Sequence, residues 1–426
     1  MIRPIRSHFF SSFWLYAAAA LLISGMIVGQ PGLSLLAAAV FLTAGLSWLW
    51  TQYALDGITF HRHLSETRAF RGERLTLTFK LENTGWLPLA WVEVDEHISD
   101  RVRPVGLPGL PSDRIGSTVV RHATPLRWKQ RVTWSVDIDC LERGLHLIGP
   151  ASIRSGDPFG FFTRQMEVED IRSFLVYPDV VPLDELGFPR DFPFGTSRVR
   201  QHLLTDPLHL IGVRDYAPDD SIRHMHWKAT ARLQRPQVKV FEPTVDLQVG
   251  LFLNLDTFER YWEGMDSIRV ETAITVAASI TSQLLNGRAM LGVSANAVMT
   301  GSDQNLRIPP GRGPRQLETV LEGLARLSPM AVSNFPHLLT TEARGYPAGS
   351  TIVVIASIMT TPLEIALQTL IENGQRVVLV RIGDVTPPDL PRLQVISTPD
   401  ELVSEHRSTR HRYARTVRTG VIAHNA

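Results

Sequence analysis

A single cysteine, Cys140, stands in a chain of 426 residues, so no disulfide can close within it and no cysteine-rich zinc site can be assembled. That scarcity fits a reducing compartment. Net charge is also missing. The 43 Lys and Arg face 42 Asp and Glu, which leaves no overall basic field to gather nucleic acid, and no nucleic-acid partner is expected. Any electrostatic function must be local. No nucleophile, base and orienting residue fall into a recognised catalytic spacing. The glycine-rich stretch from Pro309 to Glu318 lacks the Lys-Ser/Thr of a P-loop and reads as the entry to a helix, so no cofactor is expected.

Charge is absent regionally as well. Neither Ser12 to Gly29 nor Leu33 to Tyr53 carries a charged side chain, and each is long enough to span a bilayer. Gln30-Pro31-Gly32 joins them, a turn too short to fold by itself, so residues 1–54 are predicted to form a transmembrane helical hairpin. Arg3 and Arg6 precede the first span and Arg62 and Arg68 follow the second, which places both ends in the cytoplasm by the positive-inside rule. Trp14, Tyr16, Trp48, Trp50 and Tyr53 would then lie at one membrane face. A multi-pass protein of the cytoplasmic (inner) membrane with cytoplasmic soluble domains is expected, and the bilayer is its first partner.

After the hairpin the pattern becomes period two. Leu75, Leu77, Phe79 and Leu81 alternate with polar residues, as do Val132, Trp134, Val136, Ile138 and Cys140, which places Cys140 on an apolar face as a core residue. Residues 55–180 read as an all-β, sandwich-like domain. "SGDPFGFF", Ser155 to Phe162, supplies a turn at its end. From residue 246 the runs turn continuously apolar, as in "LQVGLFLNLD" and "STIVVIAS", and alternate with helical spacing. Residues 246–400 therefore read as a doubly wound α/β domain, whose ligands would bind at the carboxyl ends of the strands. Residues 401–426 form a basic tail, with five arginines and no acid between His406 and Gly420.

The junction, residues 181–245, holds the densest chemistry. Asp219, Asp220 and Ser221 stand ahead of Ile222, Met225 and Ala229, a spacing that predicts a short helix with an acidic or hydroxyl N-cap. Arg214, Arg223 and Arg232 have carboxylates nearby, and Trp227 offers a surface for a guanidinium, so the cluster reads first as an internal brace. Two other readings stay open. Asp219, Asp220, His224 and His226 would ligate a metal in a membrane-bound hydrolase, or the arginines and Lys228 would cradle an anion.

The same residues resemble the signature of the domain-of-unknown-function-58 family: Arg214, Tyr216, Asp220, Arg223, Trp227, Lys228, Ala231 and Arg232 fall at its spacing, with Asp219 where the family usually has glycine. The resemblance extends from the membrane hairpin through "GDPFGFF" to a final domain similar to von Willebrand factor type A. It implies a cytosolic partner such as a MoxR-type AAA+ ATPase and brings no catalytic residues. Type A domains that hold a divalent metal use Asp-x-Ser-x-Ser after the first strand, whereas this loop has Asp256, Phe258 and Arg260. No metal is expected there, Mg²⁺ on Asp256 and waters being the residual alternative. Phe258, Arg260, Tyr261 and Trp262 are interface residue types and are expected to bind a protein. The whole reads as a membrane-anchored, non-enzymatic adaptor.

Overall fold

The computed structural model describes residues 6–7, 16, 19–21, 23–25, 27, 29, 31–188, 205–217, 220–243, 247–287 and 289–398. They divide into two compact units, with the boundary between Asp179 and Val180 and with Leu321–Leu327 assigned to the first.

In the first unit the helix Pro31–Ala54 has no acid in its first turn and no base in its last. Its segment Ser34–Ala54 is long and apolar enough to cross a membrane. Leu35, Leu36, Phe41, Leu42, Leu46 and Leu49 are exposed on it, the inverse of a helix that buries its apolar side in a core. Half of the other expected span, Ser12 to Gly29, falls outside the described residues. The helix runs directly into folded protein: Ala54, Leu55 and Ile58 share a core with Leu81, Leu89, Val92, Leu126 and Ile153. Arg164 Nη1 donates to the carbonyl of Gln52 in the last turn, where a cation suits the helix dipole.

The alternating segments form a large β-rich region. Arg74–Asn83 buries Leu75, Leu77, Phe79 and Leu81 and pairs antiparallel with Arg131–Cys140, setting Leu77 opposite Val136 and Phe79 opposite Trp134. Ile58–Leu64 and Val102–Pro104 complete this four-stranded sheet. A second sheet is built around the long strand Gly144–Gly156, which pairs with Leu89–Ser99, Phe162–Val168 and Arg172–Tyr177. One core joins the two sheets, with Leu75, Phe79 and Cys140 against Ile98, Ile148 and Phe174. Within "SGDPFGFF" the buried Asp157 carboxylate accepts from the backbone N–H groups of Phe159, Phe161 and Phe162 at 3.0, 3.3 and 2.7 Å, and this closes the turn.

In the second unit Gln248–Leu253, Met290–Met299, Thr351–Ala356, Arg376–Ile382 and Gln394–Thr398 run parallel, and Asn305–Gly311 adds an antiparallel edge beside Met290–Met299. Side chains alternate between two covered faces. Phe252, Ile352, Val354, Val377 and Leu379 pack on the helices Phe335–Ala343 and Thr361–Glu372. The helix Ser267–Asn286, with fourteen buried residues, covers the sheet as well. The first strand has a parallel neighbour on each side, so the strand order reverses at it, and its carboxyl end is where such sheets place their ligands. The antiparallel edge, the short strand Leu327–Ala331 and the helix Phe335–Ala343 were not expected from the sequence. They carry prolines or are too short for periodicity to register.

Candidate functional site

Two places hold the residues that the sequence singles out. The first is the segment around Arg214. It is a β-hairpin, Thr205–Asp215 against Gln237–Pro243, in which Arg214 faces Val238 and Asp215 faces Gln237. Arg214 makes a bidentate pair with Asp220, Nη1 to Oδ2 at 2.7 Å and Nη2 to Oδ1 at 2.5 Å. Asp220 Oδ2 also accepts from the Ala217 N–H at 2.9 Å. These bonds hold the Asp220 carboxyl below the ordinary range, the Arg214 hydrogen bonds contributing most. Gln237 Nε2 donates to Asp215 Oδ1. The neck of the hairpin thus consumes its own acids.

Beyond the neck lie a turn of 3₁₀ helix, Ile222–His224, and the helix Trp227–Leu233. The expected cap is corrected here. The helix starts at Trp227, and His226 caps it by accepting the Ala229 N–H on Nδ1 at 3.0 Å, while Ser221 makes no side-chain cap to the 3₁₀ turn. The reason is the bridge between Met225 and Val238, which keeps the chain extended to that point. Trp227 points outward and stacks on no guanidinium among the described residues; Arg223, Lys228 and Arg232 are exposed. Tyr216 is half-buried, its N–H bonded to the Pro236 carbonyl at 2.9 Å. Asp219 lies outside the described residues. With Asp220 bound to Arg214 and His226 capping a helix, no three His, Cys, Asp or Glu side chains gather as a metal-holding group among the described residues.

The second place is the carboxyl end of Gln248–Leu253. Asn254 and Asn296, two polar residues in otherwise apolar strands, meet there: Asn296 Nδ2 donates to Asn254 Oδ1 and to Asp256 Oδ2, both at 3.0 Å. Asn296 Oδ1 accepts the Leu255 N–H at 2.9 Å, and Asn254 Oδ1 accepts the Asp256 N–H at 3.1 Å. At the loop's far end Thr257 Oγ1 accepts the Asp266 N–H at 3.0 Å, and Asp266 caps the helix Ser267–Asn286. Burial raises the Asp256 carboxyl above its ordinary value and the Asn296 bond pulls it back only in part. These residues do not make the divalent-cation site that Asp-x-Ser-x-Ser would supply. One Asp256 oxygen is engaged by an amide, and positions 258 and 260 put an exposed phenylalanine and an exposed arginine where hydroxyls would stand.

The stretch that follows this pinned network exposes large apolar side chains among charged ones. Phe258, Trp262, Met265 and Ile268 are exposed, and Arg260 lies over the Trp262 ring at 5.6 Å. Tyr261 falls in the short 3₁₀ turn Tyr261–Glu263. Met330 and Val332 are exposed as well, on the segment whose Val332 N–H donates to the Asn296 carbonyl at 2.9 Å. Asn254, Thr257, Asn296 and Asp266 were missed as site residues. The available signal was an asparagine inside each of two buried apolar runs, "LFLNLD" and "GVSANAVM".

The hairpin signature and the parallel sheet that follows it are the parts that can be compared with known proteins. Residues 212–421 match the family described as protein of unknown function DUF58. The match begins inside the first hairpin strand and takes in both places described above. An uncharacterized protein of Bacillus subtilis (strain 168), YeaD, is 26% identical over 276 residues, covering 64% of this chain and 63% of its own length. Among solved structures, the Pseudomonas fluorescens alkylpurine DNA glycosylase AlkC bound to abasic-site DNA is 14% identical at a TM-score of 0.20, over 34% of this chain and 39% of its own. A Listeria innocua β-glucosidase is 11% identical at 0.18, over 28% of this chain and 16% of its own. At such scores neither likeness bears on fold or activity.

Proposed function

We propose that the chain is a membrane-anchored, non-enzymatic adaptor that presents the carboxyl edge of its α/β sheet to a cytosolic protein, with a MoxR-type AAA+ ATPase as the candidate. Two apolar spans fix it in the inner membrane with both ends cytoplasmic, the two sheets of the β-rich region form a sandwich, and the parallel sheet is a von Willebrand type A-like domain. The observation that carries this reading is the exposed rim of Phe258, Trp262, Met265 and Ile268, with Arg260 on Trp262, set on a loop pinned at both ends. Large aromatic and arginine side chains on a rigid base are the residue types of interface hot spots, because little conformational freedom is lost when they are covered. The hydrolase alternative draws no support from Asp220, His224 and His226, since the first and last are spent on local structure.

The raised Asp256 carboxyl supplies a discriminating variant. A group with a raised folded value stabilises fully below the ordinary carboxylate range and loses that contribution as pH rises through its folded value. Asp256→Asn is therefore expected to melt at or above the parent temperature at pH 8. Capture of a purified MoxR-type ATPase by the full chain in detergent should fall at least about tenfold in Trp262→Ala, as for a hot-spot residue. It should be the same in chelator and in Mg²⁺. Undiminished capture by Trp262→Ala refutes the interface, and capture abolished by chelator refutes a metal-free contact.

A further inference from the structure

We infer that the tip of the Thr205–Pro243 hairpin is a contact site for an anionic lipid surface. From Ser221 to Pro236 the chain carries Arg223, Lys228, Arg232 and Arg235 and no carboxylate. In the sequence the neighbouring acids would cancel this charge. The folded hairpin places two of them at the neck instead, Asp220 on Arg214 and Asp215 on Gln237. All four cations are exposed, and none of their side chains has an ion pair or hydrogen bond among the described residues. Between them stand large apolar side chains turned to solvent: Ile222 is 67% exposed, Trp227 68% and Leu233 55%. The helix Trp227–Leu233 buries no residue at all.

Cations at the margin of exposed tryptophan and aliphatic groups are what an interfacial segment needs, since the apolar groups enter the headgroup boundary while lysine and arginine stems keep their charges at the phosphates. Nucleic acid would use the cations but leaves Ile222 and Leu233 without a role. A bilayer uses both, and the adaptor reading anchors the chain to one through a helix long and apolar enough to cross it. The inference draws on the adaptor reading only for that anchorage and is independent of the Trp262 rim.

The experiment uses the full chain reconstituted in lipid nanodiscs of phosphatidylcholine alone or mixed equally with phosphatidylglycerol, with an environment-sensitive fluorophore on Leu233→Cys. Cys140 stays unlabelled because it is fully buried and its thiol is pushed up to about 12. The expected result is a blue-shifted label, quenched by spin-labelled lipid chains, in the anionic discs only. Lys228→Gln, Arg232→Gln and Arg235→Gln should each weaken that association about fivefold, and salt should do the same. A second label at Asp303→Cys, exposed and far along the chain, should stay aqueous. Equal emission in both kinds of disc overturns the proposal, as does an equal shift at position 303. So does a label that responds to added oligonucleotide or acidic peptide and not to lipid. Since the transmembrane anchor keeps the protein in the disc in every arm, loss of anchorage and failure of the tip contact are read separately.

Discussion

Arg62 and Glu96 lie side by side inside the β-rich unit, Nη1 and Oε1 2.9 Å apart, with side chains 1% and 2% exposed. Arg62 Nη1 also donates to the Ile148 carbonyl at 3.1 Å, yet its Nε and Nη2 have no hydrogen-bond partner. Such a pair loses much of its attraction to desolvation. Burial pushes the Glu96 carboxyl up to about 8, with Arg62 drawing it down. The folded chain therefore keeps a proton that the unfolded chain has released, and this contribution is whole below about pH 4 and is lost as pH rises toward about 8. Glu96→Gln should remove that dependence. Between pH 5 and pH 8.5 the parent is expected to lose on the order of 4 kcal/mol more stability than the variant. Thermal melts of both proteins at the two pH values check it, and parallel losses would show that Glu96 ionises in the fold as it does in water.

Among the elements, the first two parallel strands carry a paired absence of side chains. Gly250 and Gly292 are register partners, and the Tyr346 side chain lies where a Cβ on either would stand. The tyrosine ring is also set against Phe252, 6.1 Å between centroids, so it has little room to withdraw. Glycine weakens a strand interior, and here the cost is offset by close approach of an aromatic to the sheet. Gly292→Ala should cost about 1–3 kcal/mol by overpacking. Tyr346→Ala in the same chain should recover part of that loss, a coupling that a double-mutant cycle measures directly. Simple additivity would mean that the ring and the missing Cβ do not compete.

For the whole molecule, the proposed function turns on the topology at the membrane. Among the described residues one helix, Ser34–Ala54, is long and apolar enough to cross a membrane, and it enters the core of the first unit through Ala54 and Leu55. The proposal of two spans requires the chain start and the hairpin tip to share the cytoplasmic side, where anionic lipid and an ATPase are both available. Reporter fusions at Ala426 and ahead of Arg3 should both be active only inside. Activity of the Ala426 fusion only outside would remove the ATPase and the lipid contact together, whereas opposite sides for the two ends would reduce the anchor to a single span.

The sequence alone determined the elements whose surroundings are uniform along their length. Period two in Arg74–Asn83 follows from one face in a core and one outside it, and unbroken apolarity in Thr351–Ala356 follows from burial on both faces, so each environment is written into neighbouring residues. The apolar helix is legible for the same reason. The register between distant segments is not local, and only the tertiary structure decided it. Asn296 meets Asn254 from 42 residues away, and neither asparagine marks a site until parallel pairing sets Ala295 beside Leu253. Asp220 looked like a helix cap until the hairpin gave it to Arg214, and His226 took the cap because Met225 is held against Val238. The charge of the hairpin tip has the same origin. In the linear order acids and bases are mixed; the hairpin ties Asp220 to Arg214 and Asp215 to Gln237 at the neck and leaves the cations of the tip facing outward, because a hydrogen bond is decided by which groups the fold brings within 3 Å.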